Sequence, residues 1–162
     1  MWICDTHSDT LFAMGVEKNA SPVITPARLR QGGVTLQTFA LWSGRQGNKG
    51  DVKGIMDAEM SMVSTMLAAG MKQVDDPTEA KEGESSFMLS IEGAEIFEGG
   101  LHTVAEWREK GVRMVALLWN NENKLGQSAK SGSTQGLTDY SVQVVKEMQR
   151  LHMAVDTSHL NE

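Results

Sequence analysis

Three residues near the start of the chain, Asp5, His7 and Asp9, alternate in the segment DTHSDT. In an extended strand end their side chains face one way, because side-chain direction repeats every two residues. His7 and Asp9 then set an imidazole beside a carboxylate, the mixed nitrogen and oxygen donor pair that zinc accepts. A salt-bridged strand end has the same pattern. Glu92 follows the apolar run FMLSI without a break and precedes Gly93. A carboxylate at the end of a buried strand is costly to desolvate unless it is paired or metal-bound, and a bidentate one can bridge two cations. A helix N-cap, or pairing with Arg113, is equally open. His159 lies just after Asp156 and Thr157, where a surface histidine is the ordinary case; its interest is positional. Trp119, Asn120 and Asn123 are candidates to line a pocket, with Trp119 equally a core residue. His102 and His152 read as ordinary, Glu95 and Glu98 as solvated, and Cys4 as packing, since no histidine stands near it at triad-like spacing.

The elements that must position these groups follow from the apolar pattern. Strands are expected near residues 1–5, 34–42, 87–91, 112–119 and 153–156. Helix signals fall between them. Thr25-Pro26 offers a cap with proline at the first helical position, and Gly32-Gly33 a stop. Residues 51–71 carry one apolar stripe, Val52, Met56, Met60 or Glu59, Val63, Met66 and Leu67. Thr103 to Glu106 has capping-box spacing. Thr138 can cap a helix whose buried stripe is Val142, Val145 and Met148. A Gly-rich loop is expected from Ser43 to Gly50, a Gly/Ser-rich loop from the polar residues Asn120, Asn121 and Asn123 to Gly136, and a polar, turn-like stretch from Asp75 to Ser85.

Apolar strands joined by helices imply parallel pairing, because each crossover needs a dozen or more residues. Polar residues sit just past strands one, three, four and five. A doubly wound sheet concentrates them in one crevice, whereas a TIM-type (β/α)8 barrel draws them from several strand ends. The expectation is therefore an α/β chain, residues 1–162, forming a partial barrel of about five parallel strands. A complete barrel takes about 250 residues, so this portion is expected to be the N-terminal one, incomplete at its C-terminus.

Composition narrows the class. Of 162 residues, 40% are hydrophobic and 22% charged, enough for one sizeable core. A net charge of −6, spread along the chain, argues against nucleic acid as a partner. No run reaches the roughly 20 apolar residues of a bilayer span, and no basic-then-apolar leader opens the chain. The single cysteine excludes an intrachain disulfide and makes a reducing, cytoplasmic setting the expectation.

Four stretches in order, DTHSDT (Asp5 to Thr10), SIEGAE (Ser90 to Glu95), GVRMVALLWNNEN (Gly111 to Asn123) and GLTDYSVQVVKEMQRLHMAVDTSHLNE (Gly136 to Glu162), resemble the renal or membrane dipeptidase family of zinc peptidases. The resemblance implies a (β/α)8 barrel with two zinc ions at its C-terminal face. It implies that His7 and Asp9 ligate the first zinc, that Glu92 bridges both, and that His159 contacts substrate and the developing oxyanion. The family draws two more metal-binding histidines, a carboxylate-binding arginine and a late aspartate from later strands. By that count one zinc or none is expected here, and dipeptide hydrolysis impaired or absent in the isolated chain. Two other readings stay open. One is a different barrel metallohydrolase, an amidase or lactonase, since fold and metals do not fix the leaving group. The other is a non-catalytic half-barrel whose open sheet edges are covered by a second copy or by a C-terminal half.

Overall fold

A computed structural model describes residues 1–43 and 51–161. The expected Gly-rich loop beyond Ser43, and the closing Glu162 of the fourth motif, lie outside the described residues. In chain order the elements are β1 (Cys4–Asp5), α1 (Thr10–Gly15), α2 (Pro26–Gln31), β2 (Leu36–Trp42), α3 (Val52–Ser61), α4 (Val63–Ala68), β3 (Lys72–Gln73), β4 (Ser86–Glu92), α5 (His102–Glu109), β5 (Val112–Ala116), α6 (Asp139–Arg150) and β6 (Ala154–Asp156). The sheet runs β1-β2-β4-β5-β6, with β3 paired to β4 off this path. Pairing is parallel, with Cys4 opposite Leu36, Lys72 opposite Ser86 and Met114 opposite Ala154. This is the α/β architecture of a partial (β/α) barrel, with its helices in the crossovers. Chain contacts divide it into two compact units, Met1–Leu41 with Gly54–Leu89, and Trp42–Lys53 with Ser90–Glu162.

In the first unit Thr25 caps α2 by accepting from the Arg28 amide at 3.3 Å, with Pro26 at the first helical position. Gly33, at φ +70, turns the chain out of that helix. The single helix expected over residues 51–71 is two. At Met62 the amide bonds back three residues to the Glu59 carbonyl at 2.9 Å, a tightened turn that separates α3 from α4. The buried stripe is Met56, Glu59, Val63 and Met66, so Glu59 rather than Met60 takes the core position, and Leu67 stands exposed. The short helix α1 was not expected: it has no side-chain cap and only six residues, so local signals are slight. Strand β3 was missed too. Its residues are polar, and its pairing comes from far along the chain, Lys72 N–H to Ser85 O and Val74 N–H to Phe87 O, each 2.9 Å. Leu36, Val74 and Ala80 form a core against which Cys4 and Met88 pack, and the Phe39 and Phe87 rings lie 5.7 Å apart.

In the second unit Thr138 caps α6 as expected, accepting from the Ser141 amide at 3.2 Å. The buried face is rotated from the expected one: Ser141, Val144 and Met148 are buried, while Val142 is exposed and Val145 half-buried. A serine can enter that face because its hydroxyl donates to Thr138 O at 2.6 Å. The capping box expected at Thr103 does not form. Helix α5 starts one residue earlier, and the Thr103 hydroxyl donates to Gly100 O at 2.7 Å. Strand β5 ends at Ala116, three residues before Trp119, because loop groups take the next carbonyl: Leu117 O accepts from Ala94 N–H and from the Asn123 side chain.

Candidate metal centre

Strand β1 stops at Asp5, and α1 begins at Thr10, so residues 5–9 are not the extended end first expected. Asp5 Oδ1 accepts from the His7 amide at 3.2 Å, folding that carboxylate back on its own turn. The loop is tied to β2 where Ala40 N–H donates to Ser8 O at 3.0 Å. Asp9 holds the N-cap position of α1 but spends no side-chain oxygen on the helix amides. Its Oδ1 instead lies 3.2 Å from His7 Nε2, with both side chains about half exposed. His7 and Asp9 therefore meet, through a turn and a helix start rather than through strand alternation, and Asp5 is not aligned with them.

Glu92 is the last residue of β4. Gly93 follows at φ +85, its N–H donating to Ala116 O at 3.0 Å, which sets Glu92 beside the C-terminal end of β5. The following turn, Ala94–Gly99, is entered at Gly93 with no side-chain cap, so Glu92 is not an N-cap. Arg113 donates to the carbonyls of Arg108 and Val112 at 2.8 and 2.9 Å, at the opposite end of β5. Glu92 Oε1 lies 3.1 Å from His159 Nε2. His159 follows β6 in a turn at φ +67, and its carbonyl accepts from Ala129 N–H at 2.8 Å.

His7 Nε2 and Asp9 Oδ1, a nitrogen and a carboxylate oxygen, match the donor chemistry of zinc, whose ligand atoms, at bonds of roughly 2.0–2.2 Å, stand about 3.3 Å apart in a tetrahedron. The His7–Asp9 separation already has that value, so the residues present fit a divalent ion. In the second unit His159 bonds to Glu92.

The remaining candidates divide. Asn123 holds its own loop, donating to Leu117 O and accepting from the Leu125 amide at 2.8 Å. Trp119 stacks edge-on against Trp42, with centroids 4.8 Å apart. Glu95 and Glu98 are half-buried rather than solvated, and Glu98 accepts from the Lys124 amide at 2.8 Å. His102 begins α5, and His152 sits in the turn before β6. Cys4 packs against the first unit's core, and burial, then Asp5, push its thiol pKa up. The braces of His159 were missed: Ala129, Ser128, whose bridge pairs with Leu160, and Asn161, which donates to Ser133 O and Gln135 O at 2.9 and 2.7 Å. These contacts join segments about thirty residues apart, and no local pattern announces them.

Comparison with known proteins adds three observations. A family model described as membrane dipeptidase, peptidase family M19, matches residues 1–162. A Klebsiella pneumoniae protein named only for its place in the pqqA 5' region is 33% identical over 83 residues, 48% of this chain and 31% of that one. Two solved structures share the fold over the whole of this chain: the metallopeptidase dipeptidase AC (TM-score 0.82, 20% identity), and a metallopeptidase from Rhodobacter sphaeroides liganded with a phosphinate mimic of the dipeptide L-Ala-D-Ala (0.79, 18%). The chain spans 57% and 60% of those two and aligns with about a third of the curated relative. Among the described residues no helix is long and apolar enough to cross a membrane.

Proposed function

The chain belongs to the membrane dipeptidase family, peptidase family M19, and from that membership we propose that its site serves metal-dependent hydrolysis of dipeptides. The observation that carries this reading is the pairing of His7 Nε2 with Asp9 Oδ1, 3.2 Å apart, in a chain that matches the family over residues 1–162. His7 and Asp9 would hold one ion, and Glu92 would share it and offer an oxygen to a second. A divalent ion held there supplies Lewis acidity and an acidified water near neutral pH.

The chain's own groups then do the positioning. His7, Asp9 and Glu92 would fix the reacting centre, where small errors of placement cost rate steeply. His159, 3.1 Å from Glu92, would donate from Nε2 to the carbonyl oxygen of a bound substrate. That donation strengthens as negative charge grows on the oxygen, so it favours the transition state over the ground state. A dipeptide is the substrate class supported by the family and by the dipeptide mimic bound to the Rhodobacter sphaeroides relative.

The test is release of amino acids from a dipeptide panel, with and without zinc, by this chain and by Glu92→Gln. Zinc-dependent release that disappears in Glu92→Gln is the expected result. Hydrolysis indifferent to zinc and to Glu92, or a preference for simple amides or lactones over dipeptides, contradicts the proposal.

A further inference from the structure

Glu92 is a long side chain with three torsions, and a metal ligand of that kind binds well only if something fixes its carboxylate. One group that touches it is His159, whose Nε2 lies 3.1 Å from Glu92 Oε1. The contact is sheltered, with side-chain exposures of 15% for Glu92 and 30% for His159. A carboxylate can only accept, so the imidazole proton must sit on Nε2.

The backbone around His159 is built to hold that ring in place. His159 is one of three non-glycine residues described with positive φ, at +67, a region that such residues occupy only where their surroundings over-determine them. The surroundings here are specific. The His159 carbonyl accepts from Ala129 N–H at 2.8 Å, and Leu160 pairs with Ser128. Ser128 in turn donates through its hydroxyl to Asn120 O at 2.8 Å. Asn161 donates to Ser133 O and Gln135 O. The loop after β5 thus clamps the turn after β6 at the histidine and at the two residues that follow it.

From this geometry we infer that His159 is a positioning residue for metal binding: its clamped imidazole donates to Glu92 Oε1 and so fixes the direction of the carboxylate's other oxygen. The inference rests on the reading of Glu92 as a metal ligand, and it gives His159 a task before any substrate arrives. When a substrate carbonyl enters, the same N–H exchanges partners, from one oxygen acceptor to another.

The test is calorimetric titration of the metal-free protein with zinc, for the parent chain, His159→Ala and His159→Gln, with far-UV circular dichroism to establish that each is folded. Outer hydrogen-bond partners of metal ligands are generally worth 10–100-fold in affinity. His159→Ala should therefore bind zinc about 10–100-fold more weakly, and His159→Gln, which keeps an N–H donor, should stay within about threefold of the parent. On the metal-free parent, nitrogen NMR should find the His159 ring protonated at Nε2. Affinity unchanged or tightened in His159→Ala overturns this inference alone, tightening meaning that His159 competes with the ion. A proton on Nδ1 also overturns it. A parent chain that binds no zinc overturns the metal reading of Glu92 and this inference with it.

Discussion

Gly15, the last residue of α1, is buried against α3. A Cβ added there would stand 2.5 Å from Ala58 O, 2.9 Å from Ala58 C and 3.1 Å from Glu59 Cα. All three atoms are backbone, so no rotamer change relieves the clash. Ordinary contact begins at 3.4 Å, so α1 and α3 must part by about 0.9 Å in Gly15→Ala. Overpacking of this kind costs about 1–3 kcal/mol; the better helix propensity of alanine returns at most about 1 kcal/mol. A net loss of about 1–2 kcal/mol is expected, roughly a 5–30-fold fall in the folding equilibrium. Helix α1 starts beside Asp9, so a shift of that size also exceeds the roughly 0.2 Å tolerance of metal–ligand distances. Zinc affinity should fall together with stability. Equilibrium urea unfolding and zinc titration read the two effects, with Gly136→Ala as control because nothing lies within 4 Å of its added Cβ. A Gly15→Ala protein as stable as its parent, binding zinc equally well, would refute the packing argument and the link from α1 to Asp9.

Two further outcomes follow from packing and charge. Burial, then Asp5, raise the Cys4 thiol pKa, so less thiolate is present near pH 8 than in a free cysteine; labelling by a bulky thiol reagent should be slow, accelerate as pH rises, and be faster in Asp5→Asn. Rapid labelling of the native parent at neutral pH would contradict this. On α6, Val144→Asp should cost several kcal/mol in urea unfolding, since Val144 is fully buried. Val142→Asp, at a position 42% exposed, should stay within about 0.5 kcal/mol; the reverse order would mean that the helix face is assigned wrongly.

Much of the fold was legible because apolar runs and caps are local. The runs ending at Glu92 and near Ala116 mark strands, and Thr25-Pro26 and Thr138 mark helix starts that the structure keeps. What escaped depends on distant partners. Strand β3 exists because Ser85 and Phe87 offer carbonyls to Lys72 and Val74. The buried face of α6 turned toward Ser141 because a hydroxyl satisfied by Thr138 O can be buried, which a hydrophobic count cannot see. At the site, residue types pointed to His7, Asp9 and Glu92; the structure sets His7 beside Asp9, and Glu92 beside His159. The local geometry differed: a turn and the start of α1, not strand alternation, set His7 beside Asp9. The hydrogen bond from His159 to Glu92 spans 67 residues and depends on the clamp supplied by the loop after β5.

The central claim is that His7, Asp9 and Glu92 together hold a divalent ion, and counting bound metal tests it most directly. Metal-free protein is dialysed against buffered micromolar zinc, and zinc per chain is measured for the parent, His7→Ala, Asp9→Asn and Glu92→Gln. The account predicts a single weakly held zinc in the parent and its loss in each variant, all of which remain folded by circular dichroism. Zinc retained at the parent level in all three variants, or none bound by the parent, would contradict it.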